Sequence, residues 1–229
     1  MRAVFQDYPM NYEQARFNMV EQQIRPWEVL DQRVLDVITQ TPREDFVPAG
    51  YRELAFADTN IPLGHGQVMM IPSVEGRMLQ ALAVKPTDTV LEIGTGSGYT
   101  TACLAKLAQH VDSVDIFPEF IEAARKKLAA HGLNNIALNS GDAANGWQGR
   151  QNYDVITLTG SVPVIPEFYK KALTLNGRLF VIVGDTALPI MSAWLVTRAG
   201  ENQWVQESLF ETSIPPLSNV KKPRAFAFR

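Results

Sequence analysis

The stretch Val90-Leu91-Glu92-Ile93-Gly94-Thr95-Gly96-Ser97-Gly98-Tyr99 decides the fold. A short, mostly apolar run with buried-strand character leads straight into a glycine-rich turn, and a helical pattern follows. Glycine is needed where the backbone turns sharply and lets a ligand approach with no Cβ in the way. In a doubly wound sheet such a turn lies at the carboxyl end of its strand, where ligands bind. In the dinucleotide fingerprint the third glycine falls three residues after the second. Here Tyr99 holds that position, and the glycine comes one residue early at Gly98. Glu92 precedes the turn, placed to hold a cationic group instead of a pyrophosphate. Asp115 ends the next strand, 21 positions after Gly94 (115 − 94), where an acid accepts from both ribose hydroxyls. Gly141-Asp142 follows the third strand, with Asp142 placed to accept from an adenine amino group. One acid before the turn and two after it favour a cationic adenosine ligand over a phosphate-rich one, and S-adenosylmethionine fits that description. The expected cofactor contacts are Glu92, Gly94, Thr95, Gly96, Ser97, Gly98, Asp115, Ile116, Gly141, Asp142, Ala143 and Thr159.

Outward from that turn, short apolar runs alternate with helical patterns. Thr89–Ile93, Val111–Asp115, Asn135–Asn139, Tyr153–Thr159 and Arg178–Val183 read as strands. Pro118 to His131 reads as a helix, opened by proline and stopped at Gly132. Strands alternating with helices predict a mostly parallel sheet covered on both faces. Ala193–Arg198 and Gln203–Phe210 flank Ala199-Gly200-Glu201-Asn202, the pattern of a β-hairpin, so antiparallel strands are expected at the carboxyl end. On the amino side the texture is helix and loop. Glu13–Ile24 and Glu28–Thr39 have helical spacing, separated by Pro26, and Pro72 opens a further helix burying Val74, Met78, Leu79 and Leu82. Between them, residues 57–66 read as a loop long enough to suggest function. The expectation is an α/β, doubly wound, Rossmann-like fold, with residues 1–83 a helical cap integral to one compact domain and 84–229 the cofactor-binding core.

Composition narrows the function. The 229 residues carry 21 Lys+Arg against 24 Asp+Glu, so the net charge is −3, which gives no surface-wide field for nucleic acid. Trp27, Trp147, Trp194 and Trp204 are scattered and form no base-stacking platform. No apolar run approaches the roughly 20 residues of a membrane span, and the first residues lack a secretion signal. Cys103 is the only cysteine, which rules out an internal disulfide and a thiolate metal cluster. A cytoplasmic enzyme with no metal, membrane or nucleic-acid partner is the expectation.

Several blocks, in order from about residue 19 to 185, resemble the protein-L-isoaspartate (D-aspartate) O-methyltransferases. They are Met19–Ile24, Val34–Ile38, Pro42–Pro48, Leu54–Asp58, Ile61–Gln67, the glycine turn, Gly141-Asp142, Tyr153–Ile156 and Leu175–Leu179. Gly64-His65-Gly66-Gln67 behind Phe46-Val47-Pro48 is the most specific of them. The resemblance implies methyl transfer from S-adenosylmethionine to the free carboxyl of an isoaspartyl residue in a damaged protein or peptide, under a cap that closes over the methyl group. A carboxylate is already ionised at neutral pH, so such an acceptor needs alignment and dryness but no general base. His65, His110 and His131 accordingly offer no catalytic pair.

The match breaks after Gln67. Where the family continues Thr-Ile-Ser, this chain has Val68-Met69-Met70, with Pro72 keeping the register. The serine hydroxyl is thought to bond the acceptor carboxylate, and a thioether has no donor. Such a loss costs about 1.5–3 kcal/mol, roughly ten- to a hundredfold. Three readings follow: isoaspartyl transfer with Thr59, Gln67, Ser73 or a backbone amide as the donor; transfer to another small carboxylate or a less polar acceptor; or cofactor binding without catalysis. Asp58, His65, Gln67, Val68, Met69 and Met70 are the expected substrate-side residues, with loop anchoring an equal role for His65 and Gln67. Asp154 reads as a strand start and Cys103 as packed in a helix. Ile214-Pro215-Pro216-Leu217 with Lys221, Lys222, Arg224 and Arg229 reads first as a solvated edge strand; the resemblance implies instead a course along the mouth of the site.

Overall fold

The structure is a computed structural model, and it describes residues 11–150, 152–184 and 190–221. Lys222, Arg224 and Arg229 lie outside the described residues. The strands are β1 (Ile61–Gly64), β2 (Gln67–Met69), β3 (Thr89–Ile93), β4 (His110–Asp115), β5 (Ile136–Ser140), β6 (Tyr153–Val162), β7 (Leu173–Val183), β8 (Met191–Gly200) and β9 (Gln203–Thr212). The α-helices are α1 (Tyr12–Met19), α2 (Gln32–Gln40), α3 (Pro72–Leu82), α4 (Tyr99–Leu107), α5 (Pro118–Ala130) and α6 (Glu167–Lys171). Seven strands form one sheet in the order β5-β4-β3-β6-β7-β8-β9. The first five in that order pair in parallel, and β8 and β9 add antiparallel. The chain winds outward from β3 to β5, returns to β6, and proceeds the other way. The switch point therefore lies between the carboxyl ends of β3 and β6, where a doubly wound sheet binds its ligand.

Strand alternation divides the core in two. Val90, Val111, Val155, Phe180 and Ile182 face α3, α4, α5 and the amino-terminal cap, while Leu91, Ile93, Val114, Ile156, Leu158 and Val181 face Tyr169 of α6 and Trp147. Pro72 and Pro118 open their helices at the first turn, where a missing N–H costs nothing. Among the described residues no helix is long and apolar enough to cross a membrane.

Four expectations change. The first amino-terminal helix is α only to Met19, then continues as a π turn over Val20–Ile24 and a 3₁₀ turn over Arg25–Trp27. The second begins at Gln32, not Glu28. Glu28 has φ +63°, the Leu30 and Asp31 amides donate to the Gln80 side chain at 2.6 and 2.9 Å, and Asp31 caps the helix by accepting from the Arg33 amide. The stretch 57–66, read as a loop, runs into the hairpin β1–β2, whose tip residues Gly64, His65 and Gly66 all have positive φ. The segment after β9 is no solvated edge strand. Pro216 bridges in parallel to Ser161, whose amide donates to the Pro215 carbonyl at 3.0 Å and whose hydroxyl donates to the Ile214 carbonyl at 3.0 Å.

Candidate active site

A cleft of about 700 Å³, its open mouth included, lies at the switch point. Its floor is the turn after β3. Gly94, Gly96 and Gly98 have φ of +100°, +50° and +84°, where a side chain is strained. A Cβ on Gly94 would fall on the Thr159 hydroxyl, which holds the turn by donating to the Gly94 carbonyl at 2.6 Å and the Ile93 carbonyl at 3.0 Å. At the end of β4 the Asp115 carboxylate accepts from the Gly96 amide at 2.9 Å and the Phe117 amide at 3.0 Å. Burial raises its pKa against those bonds. Beyond β5, Asp142 accepts from the Ala144 amide at 3.1 Å and from the Asn219 amide group at 2.9 Å, which ties the carboxyl-terminal strap to the rim. Ile116, Phe117 and Ala143 give the apolar wall between these two acids.

The structure brings Gly94, Thr95, Gly96, Ser97, Asp115, Ile116, Gly141, Asp142, Ala143 and Thr159 to one cleft, together with Gln67, Val68, Met69 and Met70. Gly98 is not on the wall. It stands behind the turn against Ala124 and serves as the residue before α4. Glu92 does not reach the cleft either. Its position on β3 points it to the cap side of the sheet, opposite Ser113 in the register with β4. There it is fully buried, accepting from the Thr101 hydroxyl at 2.5 Å and the Ser113 hydroxyl at 2.6 Å, and burial pushes its pKa up to about 8. Glu92 supports the turn from below, because Ser113 also bonds the Thr95 hydroxyl at 2.6 Å.

On the substrate side, Asp58 and Thr59 are exposed and off the cleft, and Ser73 is buried with its hydroxyl donating to Asp58 at 3.1 Å. Neither Thr59 nor Ser73 lines the cleft. His65 is an anchor. Its ring stacks on Phe117 at 4.1 Å and pairs with Glu119, clamping the β1–β2 tip to the start of α5. Gln67 lines the cleft and donates to the Pro216 carbonyl at 3.3 Å, so hairpin and strap meet over it. Asp154 sits at the start of β6, holding the Thr89 amide at 2.9 Å and the Thr174 hydroxyl at 2.8 Å, far from the cleft end of the sheet. Cys103 is free and buried in α4.

Sequence reading missed Glu75. Leu217 and Ser218 of the strap form a wall of the cleft, on the course that the resemblance implied for the carboxyl-terminal segment. Glu75, on the first turn of α3, lines the cleft beside Met70 and Thr100 and pairs with the fully buried Arg43. Arg43 also donates to the Met70 carbonyl at 2.5 Å and lies 4.7 Å from the Tyr99 ring centre, so one guanidinium fixes the backbone of the Met69-Met70 wall. A signal was available: a glutamate on the buried face of a helix needs a cationic partner, but the sequence does not say which.

The described cleft wall holds the carboxylates of Glu75, Asp115 and Asp142 and no Lys, Arg or His. A phosphate-rich nucleotide would find no counter-charge there, whereas a sulfonium ligand finds three. Fold and cleft together define an S-adenosylmethionine-dependent methyltransferase. Residues 14–221 match the family described as Protein-L-isoaspartate(D-aspartate) O-methyltransferase. A Pelobacter propionicus protein named Protein-L-isoaspartate O-methyltransferase 2 is 36% identical over 207 residues, covering 90% of this chain and 92% of its own. A Myxococcus xanthus Protein-L-isoaspartate O-methyltransferase is 40% identical over 192 residues, covering 83% and 90%. Among solved structures, a protein-L-isoaspartate O-methyltransferase superposes with TM-score 0.75 at 22% identity, over 89% of this chain and 66% of that one. A Plasmodium falciparum structure described as a putative protein-L-isoaspartate O-methyltransferase in complex with S-adenosyl-L-homocysteine gives 0.74 at 17%, over 91% and 99%. The chain belongs to the protein-L-isoaspartate (D-aspartate) O-methyltransferase family.

Proposed function

We propose that this protein transfers a methyl group from S-adenosylmethionine to the free carboxyl of isoaspartyl residues in damaged proteins and peptides, inside the cytoplasm where both meet. The observation that carries the reading is the Gly94–Gly98 turn opening onto a cleft with acids and no cation on its described wall, in a chain that matches the family over residues 14–221. The cofactor supplies an electrophilic methyl carbon on a positively charged sulfur. The cleft fits it: Gly94 and Gly96 put bare backbone on its wall, where a Cβ would meet the Thr159 hydroxyl or Leu63. Asp115 keeps lone pairs for ribose hydroxyls, and Asp142 and the Ala143 wall suit an adenine ring. Leu63 of the hairpin stands close to Gly96 and Leu217 of the strap close to Gly94, so ligand binding beneath them displaces water and strengthens the charge interactions there. The acceptor carboxylate arrives ionised, so no residue has to take a proton from it. With Val68 and Met70 lacking hydroxyls, the Gln67 side-chain amide is the donor on the hairpin wall. Its long bond to the Pro216 carbonyl leaves it free to re-aim.

The test is transfer of labelled methyl from S-adenosylmethionine to a peptide containing isoaspartate, beside the same peptide with ordinary aspartate. Label on the isoaspartyl peptide alone is the expected result. Label on neither overturns the isoaspartyl assignment.

A further inference from the structure

The acceptor end of the cleft has a chemistry that a carboxylate substrate does not call for. Its walls are Leu63, Val68, Met69 and Met70, apolar and rich in polarisable sulfur, and the one ionisable group among them is Glu75. Asp115 and Asp142, assigned above to the cofactor, each already accept two hydrogen bonds from backbone or asparagine donors. Glu75 differs from them. One of its oxygens faces the buried Arg43, which is absent from the cleft wall; the other, on a side chain only 3% exposed, takes a long 3.3 Å bond from the Thr100 hydroxyl and has no other partner among the described residues. An incoming carboxylate has the Gln67 amide as its donor and meets like charge at Glu75. A neutral hydroxyl meets an oxygen able to accept its hydrogen bond and then its proton.

We propose that the cleft also methylates neutral aromatic hydroxyls, with Glu75 as the general base. The inference rests on the S-adenosylmethionine part of the reading above and goes beyond its isoaspartyl part. In the step, the acceptor O–H proton passes to the free oxygen of Glu75 as the acceptor oxygen forms its bond to the methyl carbon. The carbon–sulfur bond breaks with its electron pair left on sulfur, so the sulfonium becomes a neutral thioether and the charges balance. An aromatic acceptor is favoured on two grounds. Methionine sulfur packs well on aromatic rings. A phenol, with a pKa of about 10, lies within reach of a carboxylate base, whereas an aliphatic alcohol does not. The charged and titratable groups facing Glu75 are Arg43 from the turn after α2, Tyr99 and Cys103 from α4, and Glu92 from β3. Burial, against the downward pull of Arg43, places Glu75 at about 7, the range that suits a general base at neutral pH.

The experiment uses the whole protein, labelled S-adenosylmethionine, 2-naphthol and the isoaspartyl peptide in parallel. A non-transferring arm follows 2-naphthol fluorescence on binding in the presence of S-adenosylhomocysteine. The expected result is labelled methyl naphthyl ether, formed at a rate that rises with pH through about 7 and levels off, and saturable naphthol binding in the second arm. Glu75→Gln should cut ether formation by about a hundredfold and remove the pH step. Because that variant leaves Arg43 buried without its partner, the wild-type acceptor panel decides first. Label on the peptide but no ether overturns the phenolic activity and leaves the isoaspartyl reading standing. Ether without peptide label does the reverse. Neither product, with S-adenosylhomocysteine still bound, overturns both, and a folded Glu75→Gln protein that makes ether at the wild-type rate removes Glu75 as the base.

Discussion

Glu92 shows how a residue beside a site can act without touching ligand. It is fully buried, its Oε2 takes hydroxyl bonds from Thr101 and Ser113, and its Oε1 has no partner among the described residues. Burial raises its pKa from 4.5 to about 8. The folded protein therefore holds a proton that the unfolded chain has already released between those two values. Stability attributable to this group is complete below pH 4.5 and declines as pH rises through the window to about 8. Glu75, raised to about 7, adds a slope of the same sign. Replacing Glu92 with Gln removes one of the two titrations. The expected outcome is a melting temperature that falls less between pH 5 and pH 8 in Glu92→Gln than in the wild type, at roughly 2–4 °C per kcal/mol for a chain of this size. Parallel melting curves for the two proteins would show that Glu92 is not the titrating group.

At the scale of elements, what was legible depended on whether the information was local. The β3 strand, the glycine turn and the proline-started helices α3 and α5 are each specified by residues next to one another in sequence, and they lie where the pattern puts them. Asp115 and Asp142 were legible for the same reason, since each ends or follows a strand. The direction of Glu92 was readable too: with side chains alternating along β3, Val90 and Glu92 share the face away from Leu91 and Ile93. The Arg43–Glu75 pair spans 32 positions and joins the turn after α2 to α3, and the strap reaches Ser161 from Pro216, 55 positions away (216 − 161). No local pattern encodes either. Residues 57–66, which hold β1 and the tip of the β1–β2 hairpin, were read as a loop because the two strands are four and three residues long, too short for an alternation to register. That hairpin is held at its tip by His65 against Phe117 and Glu119 and at its base by Gln67 against Pro216. Ring stacking of this kind contributes about 0.5–1.5 kcal/mol. His65→Ala should therefore weaken S-adenosylhomocysteine binding by roughly two- to tenfold, read by calorimetric titration, with the fold intact by circular dichroism. Unchanged affinity would show that the hairpin closes without its tip clamp.

At the scale of the whole molecule, cap and sheet share one interior. The larger apolar cluster runs from Met19, Ile24 and Leu35 of the cap through Val90, Val111 and Phe180 of the sheet to Ile214 of the strap. Polar ties cross the same boundary. Lys127 of α5 donates to the Phe46 carbonyl at 2.6 Å, Lys106 of α4 to the Gln40 carbonyl at 2.8 Å, and Arg178 of β7 to the Ala83 carbonyl at 3.2 Å. Among the described residues the cap packs into the same cluster as the sheet, and we propose that the two melt together, in one cooperative transition in calorimetry. Cofactor linkage sharpens the test, because the cleft is built from both parts: Met69, Met70 and Glu75 from the cap side, Gly96, Asp115 and Asp142 from the sheet. A ligand bound only to the folded state at a hundred times its dissociation constant stabilises by about 2.7 kcal/mol. For this size that is a rise of roughly 5–11 °C. S-adenosylhomocysteine should move the single transition as a whole by that amount. Two transitions, with only the later one shifted by ligand, would mean that the cap unfolds by itself and that the cofactor is held by the sheet alone.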